Sequence, residues 1–428
     1  MIGLMVAGCG FHGPGVTGDA PPADVPSAID AATPAGFCPA LPAVPFTVTV
    51  TDVTTLRAAV SGAQPGDAIG IADGTYDLSS GPIVIAAAGV TLRSTSGVAA
   101  AVILEGGASP AVGITASNVT VASLTIARAT TTGLAVSPAA GGATGTTIYD
   151  VTFEDNGGPA VRLQPAAGDL VNGPFPDTGT IACSRFHATP TGPDHCTGNV
   201  LGIVGLGVRG WTVRDNDLRD VVCTTKLARA ILFHGGSRDT QILRNHLTSS
   251  NMNIMFGIGP PSRTYPDAPP AACGTTPPDH RGGLICDNVI DGVGVPALAG
   301  TDFDTGIGLW SACDAWVMHN TVASPAGAET YHDIEYRFAS TYAHIVNNLL
   351  QASPAARDGA TTDPAYDASN ATYAALADFV DASTGDFHLA STAPELPAAS
   401  LAAAMMCTSD AAGTPRAVAG PMPGAFER

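Results

Sequence analysis

Seven-residue segments of one shape recur along the chain. "TVRDNDL" (212–218), "QILRNHL" (241–247), "LICDNVI" (284–290), "WVMHNTV" (316–322) and "HIVNNLL" (344–350) each carry apolar residues at their second and last positions and Asn at their fifth. "TVASLTI" (120–126) and "TIYDVTF" (147–153) keep the apolar pair but place Leu124 and Val151 where the Asn stands. The Asn positions, 216, 245, 288, 320 and 348, are 29, 43, 32 and 28 residues apart. A unit of about thirty residues with variable insertions predicts a coil that grows by stacking, with each unit supplying one turn.

A second alternation lies about thirteen residues before the ladder position, in "PAVRLQ" (159–164), "AILFHG" (230–235), "GIGLWS" (306–311) and "DIEYRF" (333–338). Period-two alternation sends one set of side chains inward and the next outward. Each turn is therefore expected to contribute at least two strands to separate sheets. The outward set of the early strand reads Arg162, Gln164, His234, Met255, Gly308, Trp310, Glu335 and Arg337, and the polar residues just before each ladder Asn, such as Asp215 and Asp287, are read as solvated surface. The step from Val151 to Asn216 spans 65 residues and has room for one further turn or a long loop.

Composition agrees with a turn-rich β protein: 45% hydrophobic, 13% charged, 50 Gly and 34 Pro in 428 residues. The formal net charge of −19 repels phosphate backbones and argues against a nucleic-acid partner. The chain has a single lysine, Lys226, so lysine chemistry has one candidate. The start, "MIGLMVAGC", is too short to span a membrane and resembles a bacterial lipobox ending in a lipid-modified Cys9. Residues 10–45, rich in Pro, Ala and Gly, read as a tether. An export signal remnant (1–9), a tether (10–45), a coil (46–352) and a C-terminal cap (353–428) follow.

Setting Cys9 aside leaves eight cysteines, an even number that suits an oxidising compartment. Cys183 with Cys196, and Cys273 with Cys286, bracket short Pro- and Gly-rich stretches, so loop-closing bridges are expected there. Cys38 with Cys407 and Cys223 with Cys313 are further candidate pairs.

The repeat, the opening "TTLRAAVSGAQPGDAIGIADGTYDL" (54–78) and the closing "GAFE" (424–427) together resemble the right-handed parallel β-helix family of pectate lyases and bacterial surface proteins. The resemblance implies an all-β, single-stranded right-handed parallel β-helix with a short N-terminal capping helix. It also implies that the ladder residues Asn216, Asn245, Asn288, Asn320 and Asn348 stack at a bend and are structural. A substrate then lies along one outward sheet face, where Arg162, Trp310, Asn251 and Asn253 are candidate glycan contacts.

For a lyase, a base must take the proton alpha to a uronate carboxylate while a cation neutralises that carboxylate. Lys226, Arg229, His234 and Arg337 are the candidates for this chemistry, and Asp302, Asp304 and Glu335 for a Ca²⁺ site. The alginate lyase and chondroitinase B branch carries an Arg-His-Gly strand with a lysine one turn earlier. Here Phe233-His234-Gly235 stands in its place, and "LGIVGLGVRGW" (201–211) has no lysine. Paired carboxylates, Asp302 with Asp304 or Asp333 with Glu335, keep a glycoside hydrolase open. A non-catalytic glycan-binding or adhesion protein is the remaining alternative. The expected protein is an exported monomer, at the cell surface through a lipid anchor or extracellular, whose partner is a polysaccharide.

Overall fold

The computed structural model describes residues 37–427, except for 108–109, 140–141, 167–168, 189–199, 224–226, 294–302, 325–331, 395–405 and 418–420. Among the described residues, two long parallel sheets of 23 and 10 strands wind through it, and an antiparallel pairing joins Phe379–Asp381 to Asp386–Leu389. The predicted parallel β-helix is what the chain forms. The ten-stranded sheet receives one strand per turn. In chain order these are β1 (Ile83–Ile85), β2 (Val112–Ile114), β3 (Leu134–Val136), β4 (Val161–Leu163), β5 (Val200–Leu206), β6 (Arg229–His234), β7 (Met252–Phe256), β8 (Thr305–Trp310), β9 (His332–Arg337) and β10 (Ala355–Arg357).

Register explains the core. Ile203, Ile231, Ile254, Ile307 and Ile334 pair in sequence across β5 to β9, and all are fully buried. Each such side chain contributes about 1.5–3 kcal/mol by leaving water, which is what drives the turns to stack. The helix α1 (Val53–Gly62) closes the first turn with Leu56 and Val60 buried, and begins in a capping box between Asp52 and Thr55. The box satisfies the backbone N–H groups of Asp52 and Thr55 at the exposed end.

The asparagine ladder is internal and continuous. Each Nδ2 donates to the next Oδ1, from Asn216 to Asn245 (2.9 Å), Asn288 (3.0 Å), Asn320 (2.9 Å) and Asn348 (2.9 Å). The same Oδ1 atoms accept the backbone N–H of the preceding Asn, and the second Nδ2 proton goes to a strand carbonyl such as Val213 O or Ile242 O. Two rungs extend it. Asn370 accepts from Asn348 at 2.9 Å, and Ser184 accepts from the Val151 N–H at 3.1 Å while its own N–H donates to Asn216. Ser184 belongs to the extra turn for which the 65-residue step left room, built by Gly179–Ala182 and Arg185–His187. Its segment, "TIACSRF", obeys the repeat with Ser at the fifth position.

The residue before each rung makes the bend. Asp215, Arg244, Asp287, His319 and Asn347 all have φ between 51° and 57°, the left-handed region. Their expected solvation is overturned. Asp215, Asp287, His319 and Asn347 are buried because both chain ends are laid over this column. The Phe37 ring lies 4.2 Å from the Arg244 guanidinium, Tyr149 donates to Pro39 O and Arg93 to Pro42 O. The C-terminal segment places the fully buried Arg416 against Asp287 and Glu427 (2.8 Å), and His319 Nδ1 meets Met422 O at 3.0 Å. Residues 37–45 of the expected tether are thus packed on the coil, while 1–36, with Cys9, fall outside the described residues.

Disulfides fasten both ends. Cys38 joins Cys183, Cys273 joins Cys313 and Cys286 joins Cys407, so none of the expected pairings forms for these cysteines. Cys223 is also disulfide-bonded. Loop closure is not the organising geometry. Stacking brings residues from different turns and from the covering segments to Cα separations of 5.6–6.7 Å, within reach of a bridge.

A buried histidine gives the coil an acid-sensitive point. His280 stacks on Phe256 with centroids 3.8 Å apart, its Nε2 meets Thr240 Oγ1 at 3.1 Å, and burial pushes its pKa down to about 3. Because the unfolded value is near 6.5, unfolding takes up a proton between roughly pH 6.5 and 3, and stability falls across that window by up to about 1.4 kcal/mol per pH unit. Asp291, raised to about 6 by burial, acts in the opposite sense below pH 6. The difference between the wild type and His280→Phe isolates the histidine. Urea titrations from pH 7 to pH 4 should show the variant losing less stability with acid, and parallel curves would refute the assignment.

Candidate functional site

Outward residues of the ten-stranded sheet form three columns. Arg162, Val204, Leu232, Met255, Gly308 and Glu335 pair in sequence across β4 to β9. One column runs two residues later and includes His234 on β6 and Trp310 beside Arg337 on β8 and β9; the other lies at the strand starts, with Arg229 beside Met252 and Thr305 beside His332. The predicted outward set is therefore on one face. Consecutive strands lie ~4.8 Å apart, so β6 and β9 span ~14 Å of it.

The middle of this face is apolar. Val204, Leu232, Met252 and Met255 cluster with the half-buried Leu227 and Trp310. Gly308 permits this floor, because a Cβ there would stand 2.3 Å from Met255 Sδ. Sequence reasoning did not single out Leu232 or Met252, since an outward apolar residue on an alternating strand is indistinguishable from an inward one until register is known.

At one side of the floor Glu335 is almost fully buried. Its Oε2 accepts from Trp310 Nε1 at 2.8 Å and its Oε1 from Arg357 at 2.7 Å, with His332 Nε2 at 3.9 Å. The indole is held further by the Arg337 guanidinium 4.8 Å from its ring centre and by an edge contact with Phe338. Arg337 itself pairs with Asp358. Trp310 is thus a fixed, partly exposed aromatic plate.

Across the floor stand Arg229 and His234. Arg229 is half-buried and, among the described residues, forms no ion pair or hydrogen bond; its buried Nε has no partner. Burial pulls its guanidinium below the ordinary arginine value, against the attraction of Asp304. His234 is pushed below the usual histidine value by burial, partly offset by Asp279 and reinforced by Arg229, so its imidazole is neutral at pH 7. Asp279 anchors this end: its Oδ1 accepts from Gly235 and Gly236 N–H (2.7 and 3.1 Å) and its Oδ2 from Ile258 and Gly259 N–H (2.8 and 3.1 Å).

The coil is similar to polysaccharide lyases of known structure. An alginate lyase from Paenibacillus sp. matches with 12% identity over 74% of this chain and 98% of that one, at a TM-score of 0.45. A pectate lyase matches with 14% identity over 87% and 90%, at 0.37, and a PL6-family alginate lyase with 14% over 78% and 50%, at 0.37. No protein-family model and no curated protein matches the chain. Likeness at this level carries no conclusion about activity, which rests on the residues of the face.

Several expected site residues stand elsewhere. Asn251 is fully buried, and its Oδ1 accepts from Cys223 and Ala228 N–H; Asn253, equally buried, donates to Thr305 O. Both brace the strand starts beneath the face. Asp333 does not share Glu335's side. It turns inward to accept from Gln351 and Ala352 N–H, which removes that carboxylate pair from a hydrolytic role. Lys226 and Asp302 lie outside the described residues.

Two of the three expected Ca²⁺ donors, Asp304 and Glu335, are already engaged. Both oxygens of Glu335 are already engaged by Arg357 and Trp310, and Asp304 accepts from Thr305 Oγ1 (2.8 Å) with Arg229 as its neighbouring cation. A hard cation needs six or more free oxygens, and these two carboxylates offer few. The one compact group of candidate metal ligands among the described residues, Cys286, Asp287 and Cys407, is a disulfide beside an arginine-paired carboxylate.

Proposed function

We propose that the ten-stranded face binds an acidic polysaccharide and cleaves it by β-elimination. The observation that carries this reading is Arg229, a half-buried guanidinium without a bound carboxylate among the described residues, whose charge acts on the neutral imidazole of His234 at the other end of the same strand. Among the described residues no carboxylate is bound to this cation, which Asp304 attracts without forming an ion pair, and a uronate carboxylate supplies the missing partner. Arg229 then neutralises the carboxylate, which acidifies the adjacent C–H. His234 accepts that proton, the electron pair forms the C4–C5 double bond, and the glycosidic oxygen leaves and is protonated from solvent. Trp310 and the Leu232–Met255 floor face the apolar side of the sugar rings. No step is routed through a divalent cation.

The disulfides support export to an oxidising compartment, and the N-terminal segment supports a lipid anchor at Cys9. The test is ultraviolet absorbance during incubation with alginate and with polygalacturonate, each with and without chelator. An unsaturated uronate absorbs, and neither hydrolysis nor binding creates one. A chelator-resistant rise in absorbance is the expected result. Reducing ends appearing without absorbance would make the protein a hydrolase, and binding without either would leave it a glycan-binding protein.

A further inference from the structure

Arg162 repeats the anomaly of Arg229 at a distance. It points outward from β4 and is half-buried between Ala135 of β3 and Val204 of β5. Its Nε is buried without a partner, and no ion pair or hydrogen bond reaches it among the described residues. Burial alone lowers its guanidinium from the ordinary value, with no neighbouring charge of either sign acting on it. Other arginines without a carboxylate partner are accommodated differently. Arg57 donates to Gly81 O and Pro82 O, Arg93 donates to Pro42 O, and Arg185 is exposed.

A half-buried cation without compensation costs stability, and such a departure from local good sense is retained where a ligand completes it. We infer that Arg162 forms a second anion subsite on this face, taking a carboxylate of the same glycan chain at a point remote from the Arg229–His234 centre. The inference rests on the acidic-polysaccharide reading above. Arg162 is in register with Val204 and, one turn on, with Leu232, so two strand spacings, ~10 Å, separate it from β6. The apolar Val204 and Leu232 lie between. A ligand that engages both guanidinium groups must be long enough to cross two turns. Arg162 therefore adds affinity for polymers and none for a disaccharide held at the centre.

The experiment measures binding by calorimetry on a His234→Ala background, which slows cleavage, with and without Arg162→Gln. The probes are alginate and polygalacturonate polymers and the disaccharide of each. The expected result is polymer affinity weakened by about tenfold or more, the loss of one charge-assisted contact, with disaccharide affinity within about twofold. The thermal midpoint should not fall, because the substitution removes an uncompensated charge; a lowered midpoint with equal losses on both probes would assign Arg162 to the fold. Polymer binding unchanged by Arg162→Gln overturns the subsite alone. A parent protein that binds neither polymer overturns the acidic-polysaccharide reading and the subsite together.

Discussion

In an Asn288→Ala variant the free energy of unfolding is expected to drop by about 3–5 kcal/mol, among the largest losses a single substitution in this chain can cause. Asn288 is fully buried, and its amide serves both neighbouring turns. Its Oδ1 accepts the Asn245 N–H and Nδ2, while its Nδ2 donates to Ile242 O, Cys286 O and Asn320 Oδ1. Alanine strands all of these groups away from water, and each unsatisfied group costs about 1–3 kcal/mol. Asn288→Asp is expected to be no milder, because a carboxylate cannot donate to Asn320 and would be buried as a charge. Urea denaturation followed by circular dichroism checks this. A loss under 1 kcal/mol would show that the ladder relaxes or hydrates, and that stability resides in the aliphatic columns.

The second large effect concerns turnover. Arg229→Ala is expected to lower it by about 10²–10³-fold and His234→Ala by about 10²–10⁴-fold, with the fold retained because both side chains reach the surface of the sheet. Arg229→Lys should recover only part of the loss, since an ammonium cannot present two parallel donors to a carboxylate. The pH profile distinguishes the roles. His234 must be unprotonated to act, and its value is lowered by burial, so the acid limb of kcat/KM should lie below the ordinary histidine value near 6.5. Lys226→Ala provides the contrast. Turnover abolished by that substitution and spared by His234→Ala would transfer the base to the lysine.

Much of this architecture was legible because repetition reveals register. An Asn at the fifth position of a recurring heptapeptide marked the repeat, the resemblance to parallel β-helices implied that it stacks, and the period-two strands before it announced which residues share the outer face. Arg162, His234, Trp310, Glu335 and Arg337 were placed there correctly on alternation alone. Alternation failed at the strand starts, where the chain turns a corner: Asp333 and Asn253 face inward although simple counting sends them out. The Ser184 rung was visible in "TIACSRF" but carried Ser where the other rungs carry Asn.

The sequence by itself determined the coil, its repeat and the composition of its outer face, since all of these depend on contacts between a residue and its counterpart one period away, and the resemblance of its opening segment implied the capping helix, whose start is a local capping box. Only the tertiary structure decided what the chain ends cover, which cysteines meet, and which charges on the face are paired. Arg357 reaches Glu335 from the next turn, Arg416 reaches Asp287 across 129 residues, and Cys38 reaches Cys183 across 145. Such long-range pairings leave no periodic trace. The site depends on them for the same reason: among the described residues, Arg229 and Arg162 are the half-buried arginines to which folding brings no ion pair or hydrogen bond.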